Sequence, residues 1–515
     1  MPPSRPFPLH KLLLPLALIL IFGLGLALRL FDLSNPPLDF HPTRQLFAAI
    51  KARGLYYQTL TNVPDWQKDL AVRQWEGEAT IEPPLMENLA AWLYRFTGEQ
   101  VWIPRTFSVV FWMLGGLFLF LLARNLTQSQ PAAVAALAFY LFLPYGMTAS
   151  RAFQPDPLMV MLLIISWWAL ETWGRRPTWG WTLVAGISGG LAIFVKFPAA
   201  FFVLGGAAGV VFAHIPSIPD GRGAGVRALG GQLLEILKRP QTWGLALLGV
   251  LPSALYLYYG LFVARFLGQQ FNARFFPEMW LDPYFYLRWF IKADLVVSAL
   301  WLALALFGWL VFPGRQTRIF LAALWGGYFV FGLAFAHHIS SHDYYSLPLI
   351  PIAALSFTPL AAELSVFLRD KVRDSRLLQF LAVFVLLFAL GTLSVKQYLA
   401  YRAVDYRPQA AFWAGVGDAL GHQPGVLALT SDYGYPLAYY GWQNSSLWPQ
   451  AGEAGAFRAT FIDLARNKSY FLITDFDEFD RQPELQEYIR AHYPVLAQGK
   501  GYLIYDLLHR LKKAP

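Results

Sequence analysis

Apolar residues in this chain come in long unbroken runs separated by short polar loops, rather than alternating or following a one-sided helical stripe. A helix that crosses a bilayer needs about 20 mainly apolar residues. Eleven stretches approach that requirement: 12–30, 103–122, 131–149, 157–173, 181–195, 199–212, 243–263, 295–312, 319–336, 344–360 and 377–395. The fifth and sixth are short and parted by Lys196 and Pro198, so they read as two spans or as one broken hairpin. Arg5 and Lys11 precede the first run as they would in a signal peptide. Its apolar core is long, however, and leads into Arg29 and Phe31 with no small-residue cleavage site, which predicts an uncleaved first helix.

Two regions depart from this pattern. The first outer loop, 32–102, contains two amphipathic helical patterns, 44–57 and 85–96, with Leu46, Ala49 and Ile50 and then Leu89, Trp92 and Leu93 on their apolar faces. Such helices suit the plane of a membrane interface. From 397 to 515 short strand-like runs (426–430, 470–474, 502–507) alternate with helical stretches (409–420, 457–465, 484–492). That alternation predicts a small α/β domain. The expected architecture is an α-helical polytopic membrane protein of about eleven spans over 1–396, followed by an extracytoplasmic α/β domain over 397–515.

Composition agrees. Only 14% of residues are charged and 56% are hydrophobic, against about 25% charged in a soluble globular chain. The net charge of +9 would suggest nucleic acid in a soluble protein, but here the cations lie mostly in short loops, where they report topology. With the N-terminus inside, the inner segments hold Arg5, Lys11, Arg124, Arg175, Arg176, Arg222, Arg227, Lys238, Arg239, Arg315, Arg318, Arg369, Lys371, Arg373 and Arg376. The short outer loops hold Arg151, Arg265, Arg274, Arg288 and Lys292. An odd number of spans then puts the C-terminus outside. No nucleic-acid partner is expected. The chain has no cysteine, which removes thiol nucleophiles and zinc–thiolate sites.

Chemistry-bearing residues concentrate at the predicted outer ends of the spans. Pro36-Pro37-Leu38-Asp39-Phe40-His41-Pro42-Thr43-Arg44-Gln45 places a carboxylate, an imidazole and a guanidinium within six residues. Asp39 could take a proton from a hydroxyl and Arg44 could hold an anion; equally, Asp39 or Thr43 could cap the next helix. Glu82, in Glu82-Pro83-Pro84-Leu85, has the residue type and place of a helix N-terminal carboxylate. Asp156, in Gln154-Pro155-Asp156-Pro157, starts a span and reads as a cap or a functional group. Lys196 sits in otherwise apolar sequence, where an ionisable group is a functional candidate or snorkels to the headgroups. His337-His338-Ile339-Ser340-Ser341-His342-Asp343-Tyr344-Tyr345 offers an anion or substrate contact, or ligands for a divalent metal. Asp475-Phe476-Asp477 imitates the D-x-D of nucleotide-sugar enzymes but falls in the predicted outer domain. No phosphate-binding G-x-x-x-x-G-K-[ST] occurs, so ATP-driven transport has no support.

Taken together these residues resemble the polytopic (GT-C) glycosyltransferases, specifically the dolichyl-phosphate-mannose protein mannosyltransferase-like group that includes the bacterial lipid A aminoarabinose transferase. The resemblance runs from about Leu12 to Leu360. It rests on the acidic first outer loop, the Pro-Pro-Leu segment after Glu82, Pro104-Arg105-Thr106-Phe107-Ser108 as a P-R-x-x-S entry to the second span, Gln154-Pro155-Asp156, and Tyr344-Tyr345-Ser346-Leu347-Pro348. Where many relatives carry an Asp-Glu pair after H-P, this chain reads Thr43-Arg44. Ser431-Asp432-Tyr433-Gly434 is faintly similar to the W-W-D-Y-G of oligosaccharyltransferases, without the tryptophans.

The resemblance implies transfer of a sugar from a polyprenyl-phosphate donor to a lipid, glycan or protein acceptor at the outer face of the cell membrane, with inversion. Asp39 would be the catalytic base. His41, Arg44, Gln45, Glu82, Asp156, Lys196, His342, Tyr344 and Tyr345 would bind substrate, with Arg44, Lys196, His342 and Tyr345 on the phosphate and Glu82 and Asp156 orienting sugar or acceptor. No cofactor is implied, and a divalent metal stays open. The rival readings are a transporter, which should show internal repeats, and a non-catalytic lipid-linked-sugar binding protein.

Overall fold

The computed structural model describes residues 10–80, 82–213, 234–268, 275–372, 375–452 and 457–511. Of the cations that set the predicted topology, Arg5, Arg222, Arg227, Arg274 and Arg373, with the side chains of Lys11 and Arg376, lie outside the described residues. The chain forms two compact units. One comprises Met1–Leu33, Thr80–Pro83 and Arg105–Ala403; the other comprises Ser34–Ala79, Pro84–Pro104 and Val404–Pro515.

The first unit is a helical bundle. Among the described residues seven helices are long and apolar enough to cross a bilayer, and three shorter apolar helices (Gln130–Phe142, Trp179–Val195, Ala199–Ala213) accompany them. A further pair, Pro283–Val297 and Ala299–Leu310, qualifies only if taken as one span, and it is bent by 91°. Eleven spans are reached when the bent pair and all three short helices also cross. The bend falls at Ser298, whose φ of 69° and ψ of 143° lie in a region that suits glycine; Asp294 secures it by accepting from the Ala299 amide at 2.6 Å. Near 131–149 the predicted single span is two helices, Gln130–Phe142 and Pro144–Ala149, because Pro144 cannot continue the backbone ladder.

Close backbone contact holds the bundle where apolar packing against lipid-like side chains gives little drive, and small residues supply it. A Cβ on Gly190 would lie 2.1 Å from the Leu248 carbonyl oxygen, so the Trp179–Val195 and Pro240–Tyr258 helices meet backbone to backbone. Leu248 is four residues before Pro252, so its carbonyl lacks the usual helical donor.

Three buried arginines stitch helix ends and loops of the first unit together. Arg29 donates to the Ser150 hydroxyl at 2.7 Å and to the Leu141 carbonyl at 2.8 Å. Arg151 donates to the Phe31 carbonyl at 2.8 Å. Arg105 reaches the Arg151 carbonyl at 3.0 Å while Ser108, one turn on, reaches the Ala152 carbonyl at 2.7 Å. The P-R-x-x-S segment thus has a physical role, since its two polar groups, on one helix face, grip consecutive carbonyls of the loop that delivers Asp156.

The second unit joins loop helices to a sheet. Pro42–Tyr57, Asp65–Gly77 and Leu85–Thr97 come from the first outer loop; the Asp65–Gly77 helix carries no apolar pattern strong enough to announce it. Five strands follow: β1 (Val426–Leu429), β2 (Ser445–Leu447), β3 (Tyr470–Ile473), β4 (Val495–Gly499) and β5 (Tyr502–Asp506), in the order β2-β1-β3-β5-β4. β1 pairs parallel with β2 and β3, and β5 antiparallel with β3 and β4. Alternation along β1 sorts Leu427 and Leu429 into a core with Phe461, Phe471 and Ile473, and Val426 and Ala428 into another with Trp413, Leu437 and Leu472. The D-x-D imitation proves to be a helix start: the Asp475 carboxylate accepts from the Glu478 amide at 3.0 Å.

Arg53 binds loop helix to sheet region inside this unit. Its guanidinium pairs with Glu99 at 3.0 Å, donates to the Tyr439 carbonyl at 2.6 Å, and lies 3.8 Å and 4.1 Å from the Tyr439 and Trp442 rings.

Candidate active site

In the first unit five of the residues singled out from sequence gather around Lys196. The Trp179–Val195 helix ends there because the backbone turns extended at Lys196 (φ −153°, ψ 108°) ahead of Pro198, and the Lys196 carbonyl then accepts from Ala199 at the start of the next helix. The side chain turns inward instead of snorkelling and is 3% exposed. Its ammonium pairs with Asp156 Oδ1 at 2.8 Å and lies 4.9 Å and 4.8 Å from the Tyr344 and Tyr345 ring centres. Asp156, 1% exposed, stands in the first turn of the Asp156–Arg175 helix. Two buried charges of this kind are stable only as a pair, since each alone carries a desolvation cost of several kcal/mol, roughly.

Tyr344 and Tyr345 stack on each other at 4.9 Å, and the His342 ring lies 5.6 Å and 6.1 Å from them. His342 is exposed, its Nδ1 2.8 Å from the Ser341 hydroxyl. Beside this cluster lies a cavity, partly open to the exterior, lined by Glu82, Lys196, Phe197, Ser253, Tyr256 and Tyr345 among others. Glu82 therefore faces a cavity; the N-cap of the Leu85–Thr97 helix is Pro84, with no side-chain cap. The hydroxyls of Ser253 and Tyr256 and Oδ2 of Asp156 have no hydrogen-bond partner among the described residues.

Asp39, His41, Arg44 and Gln45 gather in the second unit. His41, left-handed at φ 45° and ψ 68°, is the N-cap of the Pro42–Tyr57 helix with no side-chain cap bond. Neither Asp39 nor Thr43 fills that role. The buried Gln45 amide donates to the Phe40 carbonyl at 2.7 Å and to Asp39 Oδ1 at 3.2 Å, fixing the carboxylate. Burial, and after it the Asp39 charge, raise the Tyr406 phenol above its ordinary value. The Arg44 guanidinium lies 5.7 Å from the Phe47 ring.

Sequence reading passed over Ser253, Tyr256 and Tyr145. Tyr145 faces Asp343, with Asp156 and Tyr344 nearby. For Ser253 and Tyr256 a signal existed: two hydroxyls three apart, hence on one face, in an apolar span. Among the described residues no three His, Asp or Glu side chains group closely enough to hold a metal ion.

The long apolar helices are those of a multi-pass membrane protein, and the chain shares its fold with membrane glycosyltransferases of the GT-C type. Residues 81–218 match the family described as dolichyl-phosphate-mannose-protein mannosyltransferase. The chain is similar in structure to ArnT from Cupriavidus metallidurans bound to undecaprenyl phosphate, with a TM-score of 0.57 and 13% identity over 97% of this chain and 98% of that one. The apo form of that ArnT gives 0.54 and 12%, over 95% and 97%. The oligosaccharyltransferase AglB from Archaeoglobus fulgidus, in complex with an inhibitory peptide and a dolichol-phosphate, gives 0.53 and 12%, over 97% and 74%. No curated protein sequence matches the chain.

Proposed function

We propose that this protein transfers a sugar from a polyprenyl-phosphate donor to a lipid, glycan or protein acceptor at the outer face of the cell membrane, with the N-terminus cytoplasmic and the C-terminal α/β region outside. The observation that carries the reading is the Lys196 ammonium, buried beside Asp156, Tyr344 and Tyr345 at the wall of a cavity in a membrane bundle. A cation held in low dielectric stabilises the charge that collects on a departing lipid phosphate. ArnT with undecaprenyl phosphate and AglB with dolichol-phosphate share the fold and support such a donor.

In this mechanism Lys196, assisted by Arg44, His342 and Tyr345, takes the phosphate. Asp39, held by Gln45, removes the acceptor's proton, and His41 binds the substrate with it. The acceptor oxygen bonds to the anomeric carbon as the bond to the phosphate oxygen breaks, so the carbon inverts. Glu82 and Asp156 orient the sugar, and Tyr344 completes the aromatic wall. Purified protein in lipid should move label from a polyprenyl-phosphate sugar to an acceptor, and Asp39→Asn should lower the rate at least ~100-fold, the range of general-base catalysis. Undiminished transfer by that variant removes Asp39 from the base role, and counterflow of a free solute without transfer overturns the enzymatic reading. Lipids that accumulate in a strain lacking the gene would name the donor by mass spectrometry.

A further inference from the structure

The lining of the cavity beside Lys196 has two chemically distinct components, and the ammonium is one of them. On the Pro240–Tyr258 helix stand Ser253 and Tyr256, one turn apart, both lining the cavity. Ser253 is 6% exposed. A serine inside a membrane helix ordinarily returns its proton to the carbonyl four residues back, but the Ser253 hydroxyl makes no hydrogen bond among the described residues, and neither does the Tyr256 hydroxyl. The Tyr256 ring is fixed edge-on against Phe194 with centres 5.7 Å apart, so its hydroxyl is aimed by packing. The Glu82 carboxylate acts on that hydroxyl and lines the same cavity.

A carboxylate repels phosphate and attracts hydroxyl or ammonium groups, whereas serine and tyrosine hydroxyls both donate and accept. These groups are therefore suited to the polyhydroxylated part of a ligand whose anionic part meets Lys196. Buried groups of this kind discriminate strongly, because a ligand lacking the matching hydroxyl leaves them unpaired. We infer that Ser253 and Tyr256, with Glu82, are specificity-determining residues that read the donor's sugar ring and so distinguish the charged carrier from the spent polyprenyl phosphate. The inference rests on the transferase reading above.

Native mass spectrometry of the full chain in detergent can separate the two. The probes are undecaprenyl phosphate and the same lipid carrying glucose or mannose. Wild type should bind at least one sugar-bearing form more tightly than the bare phosphate. Ser253→Ala and Tyr256→Phe should each weaken that form by about tenfold, and leave bare undecaprenyl phosphate within twofold. Retention of the bare lipid shows that the variants are folded. The inference is overturned if no sugar-bearing form is preferred, if the variants leave the preference intact, or if both lipids weaken alike. The transferase reading itself fails separately, if wild type binds none of the three lipids.

Discussion

At the scale of single residues, Lys196 and Asp156 are a test of whether a buried charge serves stability or chemistry. Removing one member of a buried pair leaves its partner uncompensated and typically costs about 3–5 kcal/mol. Asp156→Asn should therefore lower the melting temperature sharply in detergent. Lys196→Met combined with Asp156→Asn should recover most of that loss, since neither charge remains, yet stay inactive in sugar transfer. Recovery of both stability and activity would show that the pair has no chemical role. Glu78 offers a pH-dependent counterpart in the second unit. Burial raises its carboxyl above the ordinary value, against the opposing pull of the Tyr435 hydroxyl at 2.9 Å and the Lys51 charge. The folded state then holds this proton more tightly than the unfolded chain. Stability from this group falls as pH rises from the unfolded value to the folded one, and the penalty is complete above it. Glu78→Gln should flatten that part of the melting-temperature profile and raise stability at neutral pH; an unchanged slope rules the group out.

Among elements, the contact between the Trp179–Val195 and Pro240–Tyr258 helices sets the geometry of the cavity, because one helix ends in Lys196 and the other carries Ser253 and Tyr256. Gly190→Ala would push a methyl group into the Leu248 carbonyl and separate the helices. Overpacking of this kind costs about 1–3 kcal/mol, so the variant should melt earlier and bind donor lipid more weakly. Gly326→Ala, with open space around it, should change neither. Apolar run length made the helices legible from sequence. The bend at Ser298 and the break before Pro144 were not, because apolar residues continue through both and only the backbone geometry interrupts. β1, β3 and β5 announced themselves by short apolar runs, rich in aromatic residues in β3 and β5. β2, with Ser445 and Ser446 in three residues, did not, since its partner β1 supplies the order.

For the molecule as a whole, the native absence of cysteine makes topology directly measurable. Lys500→Cys, at an exposed position, should react with an impermeant maleimide in intact cells. Gln128→Cys, exposed in the loop between Trp102–Thr127 and Gln130–Phe142, should react only after the membrane is opened. The reverse pattern inverts the proposed orientation. At this scale the sequence carried the fold class well, since low charge and long apolar runs leave few alternatives. Which polar groups meet was less accessible: Lys196 and Asp156 are 40 residues apart, and nothing in either neighbourhood names the other.

The ionic cluster at Lys196 also bears on turnover. The Lys196–Asp156 pair carries no net charge, so under the proposed function an incoming phosphodiester would bring surplus negative charge to the cluster. The sugar's contacts must outweigh that excess for the carrier to stay. Once the sugar has left, the lipid is a phosphate monoester with a second ionisable oxygen. Under that same reading the larger excess would act on the bare lipid as an ejecting force and would help to empty the site for the next cycle.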